Sequence, residues 1–184
     1  MRLKIHVAAA ILVFACYPTA QTKAQGRQEL AFSAGAGSLF VNGAGRTSPV
    51  GSFSYRFHFT NHISAEGALD FFSYEFQSGP PAQPYSYRDG YSGAEAALVY
   101  YLRQSRPSQH WLPFIAAGVG KTTTDFTEIA AAPYYRIGVG ISYHFTARFG
   151  IRVEMRDEII TKLYGNGSPN GNLPSIRFGL VYRF

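Results

Sequence analysis

The chain has 184 residues, about one domain's worth, with 46% hydrophobic, 16% aromatic and only 15% charged residues, a formal charge of +6 and a mean hydropathy of −0.08. Its 13 Tyr and 15 Phe exclude disorder, and a single Cys excludes a disulfide scaffold. The longest apolar run, Val7 to Tyr17, falls short of the roughly 18 residues of a membrane-spanning helix.

Arg2 and Lys4 precede that run, and the small residues Ala20 and Ala24 follow it. This pattern reads as a secretory signal peptide, residues 1–24, removed after Ala24. Cys16 follows Val13-Phe14-Ala15, a poor match to a lipoprotein box because Phe14 is bulky. The remaining domain, 25–184, carries 14 basic and 11 acidic residues, a charge of +3. The basic residues are scattered, so no nucleic-acid stripe forms.

From Glu29 onward the chain alternates with period two, the signal of a strand. The spacing predicts strands over 29–41, 49–59, 63–76, 91–102, 111–124, 134–145, 148–160 and 174–184. In the second, Phe53, Tyr55, Phe57 and Phe59 oppose Ser52, Ser54, Arg56 and His58. In the sixth, Tyr135, Ile137, Val139, Ile141, Tyr143 and Phe145 oppose Arg136, Gly138, Gly140, Ser142 and His144. The seventh sets Phe149, Ile151, Val153 and Met155 against Gly150, Arg152, Glu154 and Arg156. The eighth sets Ile176, Phe178, Leu180, Tyr182 and Phe184 against Ser175, Arg177, Gly179, Val181 and Arg183. Soluble strands average about 5–6 residues, whereas a tilted membrane-crossing strand needs about 9–11.

The connections alternate in length. Thr60 to His62 and Thr146 to Ala147 are short, and Arg103 to His110 is intermediate. Asn42 to Pro49 and Asp125 to Pro133 are also of middle length, and Ser78 to Gly90 and Leu163 to Pro174 are longer and rich in turn formers. Eight strands place both termini beside the short turns, as in transmembrane barrels with short periplasmic turns and longer external loops.

A soluble lipocalin-like carrier would alternate too, but with its polar face to water. Here the polar face is Gly, Ser, Ala and Arg with carboxylates, and only Lys121 and Lys162 follow the signal segment. Small residues and Arg–carboxylate pairs suit a narrow lumen. Aromatics cluster near strand ends on the apolar face, at Phe32, Phe40, Phe59, Tyr100, Trp111, Tyr135, Phe145, Phe149 and Tyr182. Strand parity nominates a lumen set of Arg56, Glu66, Asp70, Glu95, Arg136, Arg152, Glu154, Arg156 and Arg177, with Arg183 taken as inward. The interior of an eight-stranded barrel is just wide enough for side chains, so this set is expected to plug it as an ion-pair network.

The ending from Ile176 to Phe184 resembles the C-terminal signal of bacterial outer-membrane barrels. The stretch Arg136 to Asp157 is similar to a hairpin of the small OmpA/OmpX-like barrel domains. The resemblance implies an all-β, eight-stranded antiparallel up-and-down transmembrane barrel in a Gram-negative-type outer membrane. It also implies recognition of Phe178, Leu180, Tyr182 and Phe184 by the barrel-assembly machinery. No peptidoglycan-binding domain follows Phe184, so cell-wall anchoring is not implied.

No cofactor or metal is expected, since His6, His58, His62, His110 and His144 lie far apart in the sequence. His144, Thr146 and Glu154 bear a faint similarity to the His, Ser and Glu of lipid A-modifying barrel enzymes. The nucleophile is replaced, however, and His58-Phe59-Thr60 matches equally well. The expected role is structural, or a surface interaction through external loops, chiefly 78–90 with Tyr85, Tyr87, Arg88 and Tyr91. A small solute-permeable pore is the alternative class. Outer-membrane lipid is the expected environment.

Overall fold

A computed structural model of the chain describes residues 28–41, 44–78, 85–103, 110–123, 132–161 and 171–184. The proposed signal segment lies outside these residues. Eight strands are present: β1 (Gln28–Val41), β2 (Ala44–His58), β3 (Ile63–Ser78), β4 (Tyr85–Tyr101), β5 (Trp111–Thr123), β6 (Pro133–His144), β7 (Phe149–Ile160) and β8 (Gly171–Arg183). Each pairs antiparallel with the next, and β8 pairs with β1, so the sheet closes. There is no helix among the described residues.

Closure follows a definite stagger. The ladder from Glu29 runs through Arg56, Glu66, Ala97, Gly118, Arg136, Glu158 and Leu173, and the β1–β8 register on either side of that level sets Leu173 level with Leu39, ten residues on. Such a shear tilts the strands by about 40° and leaves a lumen that side chains can fill. In the β1–β8 ladder, pairing skips the positions between Gly37–Ser175 and Phe40–Asn172. Pro174 lies in this gap and has no N–H to donate.

The alternation sets the sidedness. Outside, Phe32, Phe178, Leu98 and Leu180 are exposed, Leu180 by 67%. Inside are most of the charges. A lipocalin would show the reverse, so the wall is built to face hydrocarbon. An aromatic band rings the end that carries both termini. It includes Trp111 on Tyr143 (centroids 4.4 Å), Phe149 on Tyr182 (5.1 Å) and Tyr182 on Phe184 (5.9 Å).

Two short turns at that end share one construction. Thr60 Oγ1 accepts hydrogen bonds from the backbone N–H of His62 (3.1 Å) and Ile63 (3.0 Å). Thr146 Oγ1 accepts them from Arg148 (3.2 Å) and Phe149 (2.9 Å). The repeated His-Phe-Thr tripeptide is therefore a turn motif, with the hydroxyl satisfying donors that the ladder leaves over.

The opposite end departs from the expected loops. Strand β2 begins at Ala44 and β8 at Gly171, so Asn42–Pro49 and Leu163–Pro174 are partly strand. The larger correction concerns 78–90. Pairing of β3 with β4 continues to Ser78–Tyr85, so residues 85–90 are strand. A run of Gly, Pro and Ser marked 78–90 as a loop, but cross-strand pairing carries regular structure through Tyr85, Tyr87 and Arg88.

Candidate functional site in the barrel lumen

The barrel staggers its inward side chains into tiers. At the end carrying the termini, Glu29 is fully buried. Arg183 donates to it from Nη2 (2.6 Å) and Nε (3.1 Å), and Arg152 Nη2 lies 3.4 Å away. His58 Nε2 (3.2 Å) and His144 Nε2 (3.6 Å) approach the same carboxylate. His58 Nδ1 meets Ser64 Oγ at 2.9 Å, and its ring stacks on Tyr101.

The next tier centres on Glu66. Arg56 donates to it from Nη2 (2.5 Å) and Nε (2.9 Å), Arg136 from Nη1 (2.9 Å) and Arg152 from Nη1 (3.0 Å). Arg56 also donates to the Tyr101 hydroxyl (2.6 Å). The Phe114 ring takes the Arg56 and Arg152 guanidiniums at 4.8 and 5.8 Å. Phe114 thus gives the cations a π face as well as a wall.

Above this, Asp70, Glu95 and Glu158 have carboxylate oxygens within 4.8 Å of one another. Three carboxylates at that spacing would hold a cation, and a cation is already there. Arg156 Nη1 lies 3.0, 3.2 and 3.7 Å from Asp70, Glu95 and Glu158. Arg177 also bonds Asp70, and it bonds Glu158 at 2.5 Å. Arg136 bonds Glu95 and Glu154, and the Tyr134 hydroxyl lies 3.4 Å from both Asp70 and Glu95. Tyr134 lies over Gly120, where an added Cβ would stand 2.2 Å from the ring.

The lumen ends in apolar side chains: Leu39, Val50, Phe72, Ala132, Tyr134, Ile160 and Leu173 form one buried cluster. Six of the eight strands contribute, which closes the charged tiers from that end.

All nine nominated residues, Arg56, Glu66, Asp70, Glu95, Arg136, Arg152, Glu154, Arg156 and Arg177, lie buried in this one network. Arg183 joins them, as do two carboxylates that sequence reasoning missed, Glu29 and Glu158. Buried Arg and buried carboxylates then match, six and six, among the described residues. Both missed residues share the inward parity and were legible from it. Glu158 sits next to the apolar pair Ile159-Ile160, where the in–out contrast fades. Of the residues expected to form a C-terminal signal, Phe178 and Leu180 face outward, with Tyr182 and Phe184 partly covered beyond them.

The structure does not bring His144, Thr146 and Glu154 together. Thr146 caps its own exposed turn, His144 points at Glu29, and Glu154 bonds Arg136 and Arg156. Ser64, His58 and Glu29 do form a chain of contacts, but Ser64 and Glu29 are fully buried and Glu29 is held by Arg183 and Arg152.

A closed, outward-apolar barrel with a packed, charge-balanced interior is a membrane-spanning β-barrel of the bacterial outer membrane. The family model for the outer membrane protein beta-barrel domain matches residues 7–184, and the chain belongs to that family. No curated protein sequence matches it. Neisserial surface protein A is similar in structure, with a TM-score of 0.66 at 12% identity over 85% of this chain and 97% of that one. OprG of Pseudomonas aeruginosa gives 0.57 at 12% identity over 87% and 97%. Ail, the attachment invasion locus protein of Yersinia pestis, gives 0.54 at 15% identity over 87% and 99% in its complex with the heparin analogue sucrose octasulfate. At these identities the likeness defines the fold. In this family the short turns are periplasmic and the β1–β2, β3–β4, β5–β6 and β7–β8 connections are external.

Proposed function

We propose that this protein is a non-conducting surface-interaction protein of the outer membrane, presenting the external end of the β3–β4 hairpin to a partner. One observation carries the reading. Pairing of β2 with β3 stops at Val50–Phe72, although both strands run on beyond it. Pairing of β3 with β4 runs on to Ser78–Tyr85. Residues 73–78 and 85–90 therefore form a two-stranded ribbon, and among the described residues no strand pairs with its outer edge at 73–78. An unpaired edge with free N–H and C=O groups is a template for strand addition.

The ribbon's composition supports a protein partner. It holds Tyr74, Phe76, Tyr85 and Tyr87, with Glu75 opposite Arg88. Aromatics with Arg are the residues that dominate protein contacts. Ail is known with a heparin analogue bound, but the ribbon here balances Arg88 against Glu75 and Asp89 and offers no basic cluster for a polyanion. The plugged lumen argues against the pore reading, and the separation of His144, Thr146 and Glu154 argues against the lipid-modifying one. Recognition of the C-terminal strand by the assembly machinery remains part of the proposal.

The test replaces residues 76–87 by Asn-Gly, which keeps Glu75 paired with Arg88 across a two-residue turn. Cells displaying the shortened protein should lose adherence to host cells and matrix protein while keeping the barrel in the membrane fraction. Unchanged adherence would overturn the reading.

A further inference from the structure

The lipid-facing wall carries a groove of about 630 Å³ across the β1–β8 seam, where the ladder skips around Pro174. Its lining forms two adjacent ladder rows. The upper row runs Thr47, Ser38, Pro174, Asp157, Ile137, and the lower runs Ala36, Ile176, Met155, Val139. Five strands at about 4.8 Å spacing make the groove about 19 Å long, the reach of one acyl chain.

The two rows differ in chemistry. The lower row is wholly apolar, and it lies nearer the bilayer centre because Ala36 and Ile176 stand on the periplasmic side of Ser38 and Pro174 along their strands. The upper row carries the polar groups, Ser38, Thr47 and Asp157. Ser38 Oγ and Thr47 Oγ1 are hydrogen-bonded at 2.9 Å. Asp157 Oδ1 is buried and has no hydrogen-bond partner. A carboxylate on the outer wall of a barrel, partly covered and with one oxygen unsatisfied, is costly unless a cation or donor in the groove offsets its charge.

We propose that this groove seats one lipid of the external leaflet that carries a primary ammonium on its headgroup. The acyl chain lies along Ala36, Ile176, Met155 and Val139. The ammonium donates to Asp157 and matches its charge, and the Ser38–Thr47 hydroxyls face the interfacial oxygens. The occupant reaches this site from the bilayer, since Ala36, Ile137, Val139, Met155 and Ile176 on its lining lie on the outward, apolar wall. The site is separate from the ribbon and from the lumen.

The test uses the refolded full chain in detergent with dimyristoyl phosphatidylethanolamine or dimyristoyl phosphatidylcholine, which share chains but differ in headgroup donors. Native mass spectrometry should show one retained lipid, with the ethanolamine form favoured about fivefold, the worth of one hydrogen bond. Asp157→Leu should bring the two lipids level. Ala36→Phe should lower retention of both, while Ala34→Phe, outside the groove, changes neither. A second readout needs no variant: Met155 is one of two methionines. In perdeuterated detergent, its labelled methyl should give NOEs to the lipid's acyl protons. Equal retention of the two lipids by the unaltered protein, or a Met155 methyl with no acyl NOE, would overturn the proposal.

Discussion

Arg156 Nη1 donates to Asp70 Oδ1 at 3.0 Å across the lumen, joining residues 86 positions apart. The same nitrogen stands 3.2 Å from Glu95 and 3.7 Å from Glu158. One guanidinium therefore occupies the centre of a three-carboxylate site. Removing it leaves buried charges uncompensated, which costs about 3–5 kcal/mol for a buried pair. Arg156→Ala should lower the unfolding free energy of the refolded barrel, read from urea titration, by that amount. Calcium should restore part of the loss, because the emptied centre has carboxylate ligands at cation spacing. Equal stability with and without calcium would show that the carboxylates had spread apart.

The tiers beneath Leu39, Val50, Phe72, Ile160 and Leu173 fill the described lumen with buried, ion-paired side chains. Planar-bilayer recording of the refolded protein should show no large, stable conductance. Truncating the apolar lid alone, as Phe72→Ala with Leu173→Ala, should leave it closed, because the Glu66 and Asp70 tiers lie below. A nanosiemens channel in either protein would sink the plugged reading.

Thr60 and Thr146 each satisfy two backbone N–H groups in separate turns. Either Thr→Ala change should cost about 1 kcal/mol, comparable to losing a helix cap. The double variant should lose the sum, since the turns lie in different hairpins. A coupling energy above about 0.5 kcal/mol in a double-mutant cycle would contradict independent turns.

Outward charge should be penalised according to depth. Phe178→Arg, in the middle of β8 and exposed on the wall, should cost about 2–4 kcal/mol, and Ser38→Arg, near the external interface, about 0–1. Folding titrations into lipid vesicles would measure both. Equal penalties would mean that the wall does not face hydrocarbon.

Much of this was open to inspection in the residues alone. Alternation with period two, carried through segments such as Arg136–Phe145 and Phe149–Arg156, determined the strands and which side chains share a face. Because a strand's parity is rigid, it also determined that Arg56, Glu66 and Arg177 point the same way as Arg183. It failed where polarity no longer marks the side. At the external end the inward residues turn apolar, as at Leu39, Ile160 and Leu173, so Glu158 slipped from view. The run of Gly, Pro and Ser at 78–90 likewise hid strand pairing that extends to Tyr85.

What only the tertiary structure decided is partnership. Sequence parity gives a list of inward charges, but not that Arg156 stands among Asp70, Glu95 and Glu158, or that Glu29 gathers Arg183, Arg152, His58 and His144. Those contacts depend on the ten-residue stagger of the closed ladder, which sets the height of every strand against its neighbours. The stagger also sets Pro174 beside Ser38, opening the β1–β8 seam. A single strand carries no information about that offset, because it arises only when the last strand meets the first.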